Sequence, residues 1–177
     1  MKRLSEYLKE SIFDMDEKDV EENIKASISK FLEANYIGTF SISKIPNKDG
    51  KYVVDSNGSV AIENEKIDNL TNDLFVWGKV DGSFNCGGCE SLTSLEGSPK
   101  TVGEGFYCKN CKSLTSLKGA PEKVNENFNC SYCNSLKSLE GSPNEVGEDF
   151  DCSNCNSLTS LKGAPEKVGG RLWPNLM

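Results

Sequence analysis

The chain has 177 residues, a net charge of −7 and a pI near 4.8. Nonspecific nucleic-acid binding needs a basic surface that displaces counterions from phosphates, so this acidic balance argues against a nucleic-acid partner. The sequence contains no histidine, which removes Ser-His-Asp and Cys-His catalysis and the usual near-neutral general base. We therefore expect a protein that is not an enzyme.

The first ten residues, MKRLSEYLKE, lack the uninterrupted apolar core of a signal peptide. Nowhere do about 18 apolar residues follow one another, as a membrane span requires. We therefore expect a cytoplasmic protein with no membrane partner, whose eight cysteines are mostly thiols in a reducing compartment.

The first element predicted along the chain is helical and covers residues 1–34. Its apolar residues recur at helical spacing in two stripes, one on each side of an acidic break at Asp14 and Asp16. The first stripe is Leu4, Leu8 and Ile12, and the second is Val20, Ile24, Ile28, Phe31 and Leu32. Two interpretations stay open: this region packs on its own domain, or the first stripe docks on a partner or on a second copy.

Residues 36–64 have the pattern of short β-strands. The segment YIGTFSISKI alternates large and small side chains, and residues 47–50 offer a turn. Two further β-prone runs flank Ser56, Asn57 and Gly58, and Asn-Gly between such runs is a hairpin signal. We predict a small antiparallel sheet with the helix packed against it.

The last of these strands is predicted to begin the next region. Ile62 precedes Phe84 by 22 residues, so we interpret its strand as a degenerate first rung of a repeat. The apolar residues that would continue this rung are Ile67, Leu70 and Leu74. Because the end of a repeat array needs a cover, we divide the chain into an N-terminal helical and β-hairpin capping region, residues 1–78, and an array, residues 79–177.

The array repeats with a period of 22 residues. Five columns return at this interval: one of phenylalanine, two of cysteine, one of proline and one of valine. The columns are Phe84, Phe106, Phe128 and Phe150; Cys86, Cys108, Cys130 and Cys152; Cys89, Cys111, Cys133 and Cys155; Pro99, Pro121, Pro143 and Pro165; and Val80, Val102, Val124, Val146 and Val168. Such a period with leucine-rich spacing is typical of a solenoid, in which each unit buries its apolar face against its neighbours.

Within each unit the pattern F-x-C-x-x-C-x-x-L-x-x-L resembles the core of leucine-rich-repeat proteins, particularly the small cysteine-bearing repeats of bacteria and phages. The resemblance covers residues 79–177, where cysteine replaces the second strand leucine. It implies an α+β N-terminal cap followed by a short leucine-rich-repeat-type solenoid with 22-residue rungs, one short strand per unit and a parallel sheet. Like residues of neighbouring rungs would then stack in columns about 4.8 Å apart.

The paired cysteines allow more than one interpretation. Two successive C-x-x-C pairs with 18 residues between them fit a common zinc spacing. Against a metal, the first cysteine of each pair alternates with a phenylalanine as an inward strand residue, and a thiol suits a narrow apolar core. We expect buried thiols with no metal and no cofactor; structural zinc is the alternative, and disulfides between rungs are a third interpretation. The alternative zinc ligands are Cys86, Cys89, Cys108, Cys111, Cys130, Cys133, Cys152 and Cys155.

The outward residues of the predicted strands form a candidate partner-binding face. They vary between units while the core columns do not, and the resemblance implies that the exposed strand face makes contacts. Tyrosine and tryptophan often carry interface energy, but polar and aromatic residues also suit merely solvated β positions, so both readings stay open. The candidates are Asn85, Tyr107, Asn129, Tyr132, Asp149, Asp151 and Trp173. The acidic residues 17–22 offer a second candidate surface.

The function predicted from these features is that of a non-catalytic protein–protein interaction module. The adjacent carboxylates of Asp149 and Asp151 favour a protein partner with a basic surface. The resemblance implies a phage or bacterial origin and, by analogy, a phage-encoded inhibitor of a host defence protein, acting in the host cytoplasm. The alternative is a zinc-stabilised structural or nucleic-acid-associated protein that uses the repeated C-x-x-C pairs.

Overall fold

The computed structural model describes residues 17–43, 46–47, 49–62, 67–71 and 73–174. In these ranges one helix, α1 (Glu17–Asn35), precedes fourteen short strands. The strands are β1 (Tyr36–Ile37), β2 (Phe40–Ile42), β3 (Tyr52–Ser56), β4 (Val60–Ile62), β5 (Phe75–Val80), β6 (Phe84–Asn85), β7 (Thr101–Val102), β8 (Phe106–Tyr107), β9 (Lys123–Val124), β10 (Phe128–Asn129), β11 (Glu145–Val146), β12 (Phe150–Cys152), β13 (Lys167–Val168) and β14 (Leu172–Pro174). No helix in the described ranges has the length and apolar character needed to cross a bilayer. The first predicted helical stripe, Leu4 to Ile12, lies outside the described residues.

The strands form two seven-stranded sheets. The phenylalanine sheet has the order β1-β4-β6-β8-β10-β12-β14, and the valine sheet has the order β2-β3-β5-β7-β9-β11-β13. From β3 and β4 onward, neighbouring strands within each sheet are parallel. The molecule is thus a β-solenoid of about five turns with parallel sheets, as predicted. We call each circuit a coil and name it by its strand in the phenylalanine sheet.

The prediction of one strand per unit is wrong, because each coil contributes a strand to both sheets. In β9, for example, Lys123 is exposed and Val124 is buried. Stacking places such Thr-Val, Lys-Val and Glu-Val pairs of successive coils side by side, as in the register of Val102 with Val124 and of Val124 with Val146. Their backbone N–H and C=O groups then satisfy one another, which turns a segment punctuated by proline and glycine into a second sheet.

The core is built from the predicted columns. The rings of the four phenylalanines stack at centroid separations of 5.5, 5.4 and 5.2 Å, with planes within 18° of parallel. They are fully buried, and so are the leucines of the middle coils; these residues are Phe84, Phe106, Phe128, Phe150, Leu114, Leu117, Leu136 and Leu139. Each such side chain contributes about 1.5–3 kcal/mol by leaving water. Because this column fixes which strand residues point inward, it also fixes which point outward.

The N-terminal region packs on the first coils. On α1, Ile28 and Leu32 are fully buried in the same apolar cluster as the array. The Trp77 ring lies edge-on to Phe84, with centroids 5.7 Å apart, and so extends the aromatic column. Strands β1 and β2 pair antiparallel with β4 and β3 and thereby end both sheets. The predicted turn that links β2 to β3 is present, since the Gly50 N–H donates to the Asn47 carbonyl at 2.9 Å.

Two predictions for the segment before the array need correction. Asn57 and Gly58 do not form a hairpin, because β3 lies in the valine sheet and β4 in the phenylalanine sheet. Strand β4 is a first rung, as predicted, but Val60 rather than Ile62 pairs with Phe84. The neighbouring β3 carries a register shift between Val54 and Ser56, where the offset of its pairing with β5 increases by one residue. The predicted division at residues 78–79 falls inside β5, and that division stays a prediction.

Candidate interaction groove

An open groove of about 390 Å³ lies on the outward side of the phenylalanine sheet, across the β8, β10, β12 and β14 coils. It brings together five of the seven predicted candidates: Tyr107, Asn129, Asp149, Asp151 and Trp173. Asn127, Phe128 and Ser153 complete its lining. Asn85 and Tyr132 are not in this lining, although Asn85 is the strand neighbour of Tyr107 in the phenylalanine sheet.

One column of groove residues shapes the backbone. Side-chain oxygens of Asn85, Asn129 and Asp151 accept hydrogen bonds from the N–H groups two residues later, at 2.9, 3.0 and 2.9 Å. This is the asparagine or aspartate turn, in which a short side chain replaces a backbone acceptor. These three candidates therefore have a structural task that the outward position alone did not indicate. The signal in the sequence is the Asn or Asp directly before the first cysteine in three of the four C-x-x-C pairs; Tyr107 takes this place in the other pair.

The column before it joins successive coils. The Asn127 Oδ1 accepts from the Asp149 N–H at 3.1 Å, and the Asp149 Oδ1 accepts from the Arg171 N–H at 2.7 Å. Ser83 Oγ does the same for the Gly105 N–H at 3.3 Å. Serine, asparagine and aspartate each supply the side-chain oxygen for this bond, and serine and asparagine do so without charge, whereas Gly105 in the same column has no side chain.

Tyr107 differs from the rest of its column because it pairs with Gly105. A Cβ built on Gly105 would lie 2.4 Å from the Tyr107 hydroxyl and 2.6 Å from its ring. The tyrosine ring therefore lies over the glycine, which is buried beneath it while Tyr107 is half-buried. An aromatic side chain that covers a strand glycine protects the local backbone from water. Tyr107 lies outside the core, as predicted, but it has this structural contact as well as its place in the groove.

The last described coil closes one end of the groove. The Trp173 Nε1–H donates to Asp149 Oδ2 at 3.3 Å, and the Arg171 guanidinium lies 5.4 Å from the centroid of the Trp173 ring. The hydrogen bond from the Arg171 backbone N–H, and then that from Trp173, lower the pKa of the Asp149 carboxyl. Asp149 is thus a carboxylate at neutral pH, and 44% of the Trp173 surface is exposed beside it.

Tyr132 is exceptional for its backbone. Its φ of 59° lies in the left-handed region, and its side chain is 54% exposed. The same position in other coils holds Gly88, Asn110 and Asn154, with φ of 82°, 59° and 56°. Glycine and asparagine tolerate this conformation, whereas a bulky residue adopts it at a cost of about 1 kcal/mol or more. The left-handed backbone conformation therefore does not explain why a tyrosine occupies this position.

All eight cysteines are buried, as predicted, and no disulfide joins them in the described chain. The second thiol of each pair donates to the carbonyl of the first cysteine of the coil before it. The three bonds, each 3.2 Å, run from Cys111 to Cys86, from Cys133 to Cys108 and from Cys155 to Cys130. These contacts continue the solenoid's cross-coil bonding through the core.

The electrostatic setting of the cysteines opposes thiolate formation at most positions. Burial raises the pKa of the Cys108 thiol well above its usual value. Burial, followed by the charges of Cys155 and Asp151, raises the pKa of Cys152 to about 12. Zinc binds thiolates, and among the described residues no three or more Cys, Asp or Glu side chains are arranged to hold a metal ion. The alternative zinc site therefore gains no support from this arrangement.

Comparison with protein-family models, curated proteins and solved structures found no significant match to the chain. What the protein does is therefore inferred from its own residues.

Proposed function

We propose that this protein is a non-catalytic protein–protein interaction module of the leucine-rich-repeat type, with 22-residue rungs, that binds its partner on the outward face of the phenylalanine sheet. A rigid stacked core with variable outward residues suits this task, since the scaffold keeps its shape whatever the outward residues are. The groove adds a concave surface with tyrosine, tryptophan and carboxylate side chains, which are the groups that anchor and orient protein contacts.

One observation supports this proposal more than any other. In the β10 coil the two outward acceptor positions are Asn127 and Asn129, and in the β12 coil they are Asp149 and Asp151. All four accept the same backbone hydrogen bonds from their coil or the next one. Asparagine therefore meets the backbone's need for an acceptor. The two carboxylates add negative charge and a second oxygen each, which accepts from Trp173 Nε1–H or from Asn129 Nδ2–H. Charges that these backbone hydrogen bonds do not require, placed in a groove between aromatic rings, favour a role in recognition.

The charge also favours the kind of partner. Two adjacent carboxylates on an acidic protein attract a basic surface and speed its encounter. We propose such a protein as the partner, in the cytoplasm of a bacterium. A phage-encoded inhibitor that covers a host defence protein would use the same face, a suggestion that depends on the resemblance to phage and bacterial repeats alone.

The test is quantitative capture from bacterial lysate by the immobilised protein and by its double variant Asp149→Asn/Asp151→Asn. A genuine partner should be recovered at least about tenfold less by the variant, because the charges are lost while each side chain keeps the one oxygen that accepts from the backbone. The matched control is Glu122→Gln/Glu166→Gln, which removes the same charge from exposed positions beside the valine sheet. Equal capture by all three proteins would contradict binding through this groove.

A further inference from the structure

The groove has the chemistry of a seat for one arginine side chain. Resting on the proposed function, we infer that an arginine on an exposed loop of the partner inserts its guanidinium group into the groove, where it stacks on Trp173 and donates to the carboxylates of Asp149 and Asp151. The inference rests on three features of the groove: fixed acceptors, flanking rings and a guanidinium of the protein's own.

The acceptors are already oriented. The two oxygens of Asp149 accept from the Arg171 N–H at 2.7 Å and the Trp173 Nε1–H at 3.3 Å. Those of Asp151 accept from the Ser153 N–H at 2.9 Å and the Asn129 Nδ2–H at 3.2 Å. A carboxylate offers about four lone-pair sites, so each oxygen keeps one for an incoming donor. Because the side chains are held in place, binding loses little rotamer entropy.

The rings stand at the two ends of this acidic stretch. Tyr107 and Trp173 belong to the β8 and β14 coils, which are separated by three strand spacings, or about 14 Å. Asp151 lies between them, with Asp149 beside it. A planar guanidinium can stack on an aromatic face and bond a carboxylate at its edge at the same time, which suits both kinds of wall.

Arg171 displays this chemistry within the chain. Its guanidinium lies 5.4 Å from the centroid of the Trp173 ring, next to the Asp149 carboxylate that its own N–H reaches. The Trp173 face thus already accepts a guanidinium. A lysine ammonium is more strongly hydrated and lacks the planar fork, so it would gain less from the ring and from paired acceptors. A phosphate-bearing partner would instead meet two like charges.

The experiment follows the indole N–H signals of the intact protein by NMR during titration with N-acetyl-arginine amide. The chain has two tryptophans, and Trp77 is buried, so its signal serves as the internal control; the variant Trp173→Phe identifies the other signal. We expect a saturable shift of the Trp173 signal only. The lysine analogue should need about tenfold higher concentration, and the uncharged citrulline analogue should leave the signal unmoved.

Two variants probe the seat itself. Asp149→Asn/Asp151→Asn should lose the arginine response while the Trp77 signal stays in place, which shows that the fold persists. Arg171→Gln should respond at lower arginine concentration, because the internal guanidinium no longer competes for the ring. An equal response to arginine and lysine, a response that survives in the double variant, or a weaker response in Arg171→Gln would overturn the inference.

The NMR titration and the lysate capture together distinguish failure of the arginine site from failure of the proposed protein-binding function. If arginine moves the Trp173 signal but no captured protein depends on Asp149 and Asp151, the arginine seat stands and the interaction module fails. If capture depends on these carboxylates but arginine leaves Trp173 unmoved, the module stands and the arginine seat is wrong.

Discussion

The β10 and β12 coils are neighbours in the phenylalanine sheet and stack their phenylalanines on each other, yet they present different outward surfaces. Phe128 stacks on Phe150 with centroids 5.2 Å apart and planes within 5° of parallel. Outward of these rings, one coil carries two amides and the next carries two carboxylates in equivalent hydrogen bonds. The comparison separates what the two coils share, an oxygen that accepts from a backbone N–H at each outward position, from what differs between them, the charge on that side chain.

The largest expected effect comes from breaking the shared core. Phe128→Ala and Phe150→Ala should each lower the free energy of unfolding by about 3–5 kcal/mol, because each removes a ring stacked within the buried column. Urea denaturation followed by circular dichroism measures this loss. A loss below about 1 kcal/mol in either variant would show that the two coils do not share an equally packed core.

A smaller effect should follow from removing one outward acceptor. Asn129→Ala should destabilise the protein by about 1–2 kcal/mol, because the Ser131 N–H and hydroxyl lose the oxygen that they share. Asn129→Asp keeps the oxygen for Ser131 but replaces the Nδ2–H donor to Asp151 with a second carboxylate, so it should be destabilised at low salt and regain stability as salt screens the repulsion. A loss of stability that salt does not reduce would contradict this account.

A substitution at Tyr132 is expected to stabilise the protein. Tyr132→Asn, which copies Asn154 of the next coil, should raise the free energy of unfolding by about 1 kcal/mol by relieving the left-handed backbone of a bulky residue. The arginine titration should be unaffected, since Tyr132 does not line the groove. A destabilised variant would mean that the exposed ring makes a stabilising contact.

The smallest effect is a pH dependence confined to the β12 coil. The folded-state pKa of Asp149 is lowered, so its stabilising contribution is present above its ordinary value of 3.8 and is lost as the pH falls through the lowered value. The urea midpoint of the wild type should therefore fall more steeply below pH 4 than that of Asp149→Asn. Parallel curves for the two proteins would contradict this assignment.

The sequence alone predicted the part of the fold in which the same residue type recurs every 22 positions and stacks on its equivalent in the next coil. The phenylalanine and cysteine columns follow from the period, and the outward candidates follow from alternation beside Phe106, Phe128 and Phe150. The second sheet was missed because a two-residue strand such as Lys123–Val124 is too short to show alternation. The hairpin at Asn57 was wrong because a tight loop between β-prone runs also serves a chain that passes from one sheet to the other.

The features of the groove that lie between coils could not be read along the chain. The cover that Tyr107 provides for Gly105 depends on the rotamer of the ring, and the bond from Trp173 to Asp149 spans 24 positions. Asn127 and Asp149 are equivalent because each accepts a hydrogen bond from a backbone N–H of the following coil, that of Asp149 and that of Arg171. Such contacts between coils are not encoded in the local sequence pattern. Alternation along the chain identified the groove residues, but their hydrogen-bond partners lie in neighbouring coils and depend on how the coils stack.

The most direct test of the central claim is urea unfolding of Asp149→Asn/Asp151→Asn at neutral pH, beside the wild type and Asp149→Ala/Asp151→Ala. If the fold depends mainly on the oxygens that accept from backbone N–H groups, the asparagine variant should unfold only slightly below the wild-type midpoint, because it keeps those bonds and loses the bonds from Trp173 Nε1–H and Asn129 Nδ2–H. The alanine variant, which loses all of these bonds, should unfold at a clearly lower midpoint. An asparagine variant that unfolds as early as the alanine variant would contradict the claim, because the charges would then belong to the fold rather than to binding.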